Sequence, residues 1–275
     1  MVTLAPPQPL VSSQKIGRHA VIPVTLWGPR KPKTAGYRHI ILSLLLGTIV
    51  FPFAAFGILV IFSGGFTAKG LDNALVWMQA SPGPTTIGGL LSLWLGLLTG
   101  VFLAGRLQQG GLKSLIGWGF KKVDLLIGLA FIVFVFIMSL IVGYIMQLFG
   151  INKADDVSNI SNFTQATGIW MVFVFLGTTI IGPIVEEVFF RGLLLTVFSQ
   201  KLNMVLSVVF SSLAFGLMHA QTSVQSTLYM VAVTSVLGAV FALMRLYTGR
   251  LGTSIVAHVF FNGANMTLAL VTLAG

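Results

Sequence analysis

Between residues 40 and 273 the chain is a succession of long apolar runs interrupted by short polar segments, and that pattern restricts it to one solvent. Seven runs stand out, at 40–63, 85–105, 124–149, 168–198, 204–220, 226–246 and 251–273. A helix needs about 20 apolar residues to cross the hydrocarbon core of a bilayer, and most of these runs meet that length. Charged residues make up only 8% of the chain, against roughly 25% in soluble domains. A water-soluble globule, a disordered chain and a coiled coil are therefore all excluded. The chain has no cysteine, which removes disulfide scaffolds and cysteine-bound metal centres. The expected fold is an all-α polytopic membrane protein with about seven transmembrane helices.

The net charge of +10 raises the question of nucleic acid, and the placement of the bases answers it. Six of the 16 basic residues (Lys15, Arg18, Arg30, Lys31, Lys33 and Arg38) precede the first run, and Arg106, Lys113, Lys121 and Lys122 share one loop. Bases crowded into short loops between apolar runs follow the positive-inside pattern, not the basic face of a nucleic-acid-binding domain. No nucleic-acid partner is expected; the bilayer itself is. Alternation of the loops places the amino terminus in the cytoplasm and the carboxyl terminus outside. The expected organisation is a basic, flexible cytoplasmic tail over 1–38, a first pair of spans with a basic loop over 39–123, and a core over 124–275. The tail mixes Pro, Lys and Arg and lacks the apolar stretch of a secretory signal.

Several local features carry weaker expectations. The segment Gly111–Lys122, with Leu112, Leu115, Ile116, Trp118 and Phe120 beside lysines, fits either a short amphipathic piece along the inner interface or a plain loop. Gly96 and Gly100 form a small-xxx-small pair, which is common by chance in a chain with 31 glycines. The 31-residue run 168–198 would make a helix of about 46 Å, longer than the core. It contains Gly182-Pro183, where one broken helix or two consecutive helices are expected to meet.

The ionisable residues inside the runs are few. The chain has two glutamates, Glu186 and Glu187, adjacent within an apolar run. An ionisable group in a span costs about 2.5–3.5 kcal/mol on the insertion scale, so it pairs or serves a function. Glu187 and Arg191 are four apart on one helix face, as an ion pair requires. Glu186 points about 100° away and is left free to take a proton. His219 and His258 fall in or beside later runs; Phe215 precedes His219 by one turn, and Asn262 follows His258 by one turn. Each pair taken alone could be interhelical packing. Together, a free carboxylate, two imidazoles and a carboxamide suit activation of water for attack on a carbonyl. In that scheme Glu186 and His219 serve as the base, and His258 and Asn262 donate to the oxyanion. A zinc site competes, because a glutamate and two histidines can supply three ligands. No His-Glu-x-x-His run supports it, so no cofactor is expected.

Glu186-Glu187-x-x-x-Arg191, Phe215-x-x-x-His219 and His258-x-x-x-Asn262, in that order, resemble the three motifs of the CPBP family. These are the CAAX proteases and bacteriocin-processing intramembrane glutamic endopeptidases, also called the Abi family. The resemblance covers roughly residues 124–273. It implies an intramembrane endopeptidase with seven or eight transmembrane helices around a polar intramembrane cavity, Glu186 and His219 activating water, His258 and Asn262 forming the oxyanion hole, and Glu187 with Arg191 shaping the site. It further implies a multi-pass protein of a bacterial plasma membrane, acting on a peptide or membrane-protein substrate, with bacteriocin immunity as one context.

The competing expectation is a non-catalytic membrane scaffold or regulator of the same family, such as an immunity factor or a partner of sensor kinases or envelope enzymes. A transporter ranks behind both, because paired broken helices in the two halves are not evident. One tension accompanies the shared site. By helix rise, His258 lies about 12 Å and His219 about 24 Å from the inner ends of their runs, so something must bring them level.

Overall fold

Backbone that crosses lipid has no water to bond with and must satisfy its own N–H and C=O groups, which a helix does. The computed structural model of the chain describes residues 35–108, 110–151 and 166–274, and every regular element among them is a helix. In chain order these are α1 (Tyr37–Phe62), α2 (Ala68–Ala80), α3 (Pro82–Leu107), α4 (Gly111–Ile116), α5 (Lys122–Leu148), α6 (Ile169–Lys201), α7 (Met204–Leu217), α8 (Val224–Thr248) and α9 (Gly252–Ala274). Six of them (α1, α3, α5, α6, α8 and α9) are long and apolar enough to cross a membrane. This is an all-α, multi-pass membrane protein. The tail up to residue 34 and the segment 152–165 lie outside the described residues.

The run at 204–220 differs from the expectation of a full span. Its helix α7 has 14 residues, about 21 Å of rise against a core of about 30 Å. Asn203 caps its start, accepting from the Leu206 amide at 2.9 Å. The segment 64–84, which reads as a loop from its sequence, contains α2. Thr67 caps α2 by accepting from the Gly70 amide, and Leu71, Leu75, Val76 and Trp77 face outward. Alanine-rich, weakly charged sequence with an N-cap threonine forms a helix regardless of its failure to span.

Gly96 and Gly100 sit at a close crossing of α3 over α1. A Cβ on Gly96 would overlap the backbone of Gly47, and one on Gly100 would overlap Ser43. Ser43 completes the contact by donating to the Leu97 carbonyl at 3.0 Å. Small residues let the backbones approach, and the hydroxyl uses that proximity.

The helix α6 is the centre of the bundle and packs against α3, α4, α7, α8 and α9. Its residues Phe189, Phe190, Leu193, Leu194 and Val197 are all buried. The backbone does not break at Gly182-Pro183. Instead α6 continues through two wide, π-type turns at Gly177–Ile181 and Val188–Leu194. A proline removes a donor and crowds the carbonyl four residues back. The wider turn preceding it relieves that crowding without ending the helix.

The short helix α4 plugs into the core. Leu115 and Ile116 are buried, Ile116 lies against Gly192, where a Cβ would touch it at 2.8 Å, and Thr196 donates to the Leu115 carbonyl at 3.4 Å. Leu112, Trp118 and Phe120 stay exposed. The segment is thus half anchor and half interface. Gly117 ends α4 with φ of +66°, and a side chain there would collide with the buried guanidinium of Arg245. Nearby, Asp124 binds Arg250 through two contacts and accepts from Thr253 at 2.6 Å and from the Lys121 amide at 2.6 Å. That cluster fastens the start of α5 to the start of α9.

The α1–α3 crossing carries a direct test. Gly96→Val places two methyl groups into backbone and should destabilise the protein by about 1–3 kcal/mol. Gly88, where a Cβ meets nothing within 4 Å, should tolerate the same change. Thermal unfolding of the two variants in detergent should show a lowered midpoint for the first alone; equal midpoints would mean that the crossing is loose.

Candidate active site

Five of the seven motif residues line one cavity, and Glu187 and Arg191 lie buried beside them. The volume of the cavity is about 510 Å³, and Glu186, His219, His258 and Asn262 all line it. Three helices supply them. Glu186, Glu187 and Arg191 come from α6, His258 and Asn262 from α9, and His219 lies just past the last turn of α7. The tension over depth is resolved by Phe215, whose ring touches both imidazoles, with centroids 4.7 Å from His219 and 5.7 Å from His258. The shortness of α7 permits this, because a 14-residue helix is not obliged to reach either membrane face.

Glu187 forms the buried floor of the site. Four-residue spacing puts the Arg191 Nη1 3.0 Å from its Oε1, and both side chains are almost completely buried. The guanidinium in turn donates to the Gly238 carbonyl on α8 at 3.0 Å and lies over the rings of Phe215 and Phe241, at 4.4 and 5.3 Å. The same Glu187 oxygen lies 3.1 Å from His258 Nδ1. The sequence foresaw the i,i+4 pair but not this third partner. Seventy-one positions separate Glu187 from His258, and no periodicity links them.

The upper layer is chemically open. Glu186, turned about 100° from Glu187, faces the cavity, with 23% of its side chain exposed. Its Oε2 is 3.7 Å from His258 Nε2, too long for a direct hydrogen bond. His258 therefore stands between the two carboxylates, held by Nδ1 and facing Glu186 through Nε2. Its ring stacks on Phe241 at 4.8 Å and 24°. His219 is pinned differently, with Nδ1 2.8 Å from the Phe215 carbonyl. A carbonyl oxygen only accepts, so Nδ1 carries the proton, and in the neutral ring Nε2 keeps a lone pair. The turn after His219 is tied by Gln221, which donates to the His219 carbonyl at 2.9 Å. Glu186 and His219 share no direct hydrogen bond, so a common water would have to join them. Asn262 donates from Nδ2 to the Thr178 carbonyl on α6 at 3.0 Å.

Among the described residues no three of His, Asp or Glu are grouped to hold a metal ion, and Glu187, the second carboxylate of the site, is already committed to Arg191 and His258.

Comparison with known proteins bears on the same stretch of chain. Residues 168–264 match the family described as Rce1-like, type II CAAX prenyl endopeptidase Rce1-like. A Bacillus subtilis (strain 168) protein named "Putative membrane peptidase YdiL" is 28% identical over 116 residues, which is 42% of this chain and 43% of that protein. The chain thus spans less than half the length of this curated relative. No solved structure matches the chain.

The buried floor generates a stability test. Arg191→Leu strands the Glu187 carboxylate in the core and should cost about 3–5 kcal/mol, as breaking a buried pair does. Adding Glu187→Gln to that variant removes the stranded charge and should recover part of the loss. A double-mutant cycle by thermal unfolding measures both; additive losses would show that the pair is not coupled.

Proposed function

We propose, from the match of residues 168–264 to the Rce1-like family and the similarity to a putative membrane peptidase, that this membrane protein is a peptidase that hydrolyses its substrate with a water activated by Glu186 and His219. Glu186 takes the first proton of the water, and the His219 Nε2 lone pair accepts a hydrogen bond from the second. The water oxygen bonds to the carbonyl carbon, and the electron pair moves to the carbonyl oxygen. The second N–H of Asn262 donates to that oxyanion, as does His258 Nε2 when it carries a proton. Collapse breaks the C–N bond, and Glu186 returns its proton to the leaving nitrogen. Each proton is accounted for without a metal.

Four features support this scheme. Glu186 is exposed to the cavity while its neighbour is consumed by an ion pair, so the two adjacent carboxylates have separate tasks. The hydrogen bond to Phe215 selects the His219 tautomer that can accept. The contact with Glu187 orients His258, as a carboxylate orients a catalytic imidazole in other hydrolases. The rest of the cavity wall is largely apolar, with Leu90, Leu93, Leu97, Val233 and Leu237 among its residues, which suits an apolar peptide segment or a membrane-protein substrate. The observation that carries the proposal is the opening of Glu186, both imidazoles and Asn262 onto one cavity inside a membrane bundle. The distribution of bases supports a cytoplasmic amino terminus, and the Bacillus relative supports a bacterial plasma membrane as its setting.

Glu186→Gln keeps the shape and removes the base. Cleavage of a fluorogenic peptide library by the detergent-purified protein should fall by about 10²–10⁴-fold, the usual contribution of a general base, while the melting temperature holds. A strong chelator should leave the wild-type rate unchanged. Undiminished cleavage by the variant sinks the mechanism. A cellular phenotype that survives Glu186→Gln would instead support a non-catalytic membrane partner.

A further inference from the structure

The bond from Asn262 to α6 has a cause in the α6 backbone. The helix changes register across the wide turn Gly177–Ile181: the Gly177 amide bonds the Phe173 carbonyl four residues back, whereas the Gly182 amide bonds the Gly177 carbonyl five residues back. The next in that register would run from residue 183 to the Thr178 carbonyl. Residue 183 is proline and has no N–H. The neighbouring carbonyls of this stretch are served by side chains: Thr178 donates to Val174 at 2.8 Å, and Thr179 donates to Phe175 at 2.6 Å. The Thr178 carbonyl is served from another helix, by Asn262 Nδ2 at 3.0 Å. A free carbonyl in a lipid-enclosed core is costly, so the carboxamide is drawn to it.

We propose that Pro183 is a positioning residue for Asn262: by withholding an amide proton it leaves the Thr178 carbonyl open, and that carbonyl fixes the direction of the Asn262 carboxamide in the cavity. The assignment of the amide follows from chemistry, because an oxygen acceptor must face the nitrogen end. One N–H is thereby committed to α6. The other N–H and Oδ1 make no further hydrogen bond among the described residues and remain at the cavity wall. A pre-aimed donor needs no reorganisation when charge develops on a substrate oxygen. The chain uses the same backbone device in α1, where the wide turn Leu46–Val50 is followed by Pro52. In α6 it opens a carbonyl toward a residue of the site.

The kinetic consequence rests on the peptidase scheme above; the link between Pro183 and Asn262 does not. Both are tested with the full-length protein in detergent as wild type, Pro183→Ala, Asn262→Ala and the double variant. With Pro183 present, Asn262→Ala should lower the melting temperature by about 2–4 °C, the usual shift for one lost buried interaction in a chain of this size. In the Pro183→Ala background the new backbone N–H serves the Thr178 carbonyl, and the same change should cost less than about 1 °C. Equal losses in the two backgrounds overturn the link. Pro183→Ala should also reduce kcat about 10-fold, with KM within about 2-fold and the melting temperature undiminished. A residue that only held the fold would lose activity together with stability. Wild-type kcat in Pro183→Ala overturns the positioning role. If the wild-type protein cleaves no peptide, the peptidase scheme fails, and the thermal cycle still decides the link.

Discussion

Glu187 is fully buried at the junction of the helices that carry the site. A carboxylate in such a place costs several kcal/mol unless it is paired and hydrogen-bonded. Its compensation comes from one residue on its own helix, Arg191, and one on α9, His258. Arg191 then binds the Gly238 carbonyl, so α8 joins as well. One charge therefore dictates how α6, α8 and α9 meet. It also frees Glu186, because the cation that would otherwise be shared is already engaged.

A second constraint is the satisfaction of backbone polar groups out of reach of water. The irregularity around Pro183 in α6 has its remedies close by. The wide turn before it accommodates Pro183, the threonines bond back to carbonyls one turn earlier, and Asn262 serves the carbonyl that remains. Glycine plays the complementary part in α1 and α3, where Gly47, Gly96 and Gly100 let two backbones touch. Packing and hydrogen bonding substitute here for the hydrophobic drive that lipid does not supply.

Much of this was legible residue by residue. The long apolar runs mark six of the helices nearly to their ends, and the i,i+4 spacing of Glu187 and Arg191 announces their pair. Other features were illegible for physical reasons. The run at 204–220 is apolar enough for a span, yet α7 stops after 14 residues, and hydropathy alone does not mark where a helix ends. The Gly96 and Gly100 spacing acquires meaning only from the partner surface on α1. The segment around Leu115 is amphipathic by pattern, but only the groove beside Gly192 makes it a plug.

The sequence by itself determined the solvent, the helical class, the separate faces of Glu186 and Glu187, and the four polar side chains that are candidates for the site. Those properties follow from hydropathy and helical spacing, which are local. The tertiary structure alone decided that His258 stands between the two glutamates, that Phe215 brings both imidazoles level, and that Asn262 meets the Thr178 carbonyl. These depend on how helices far apart in the chain cross, and a linear pattern contains no term for that.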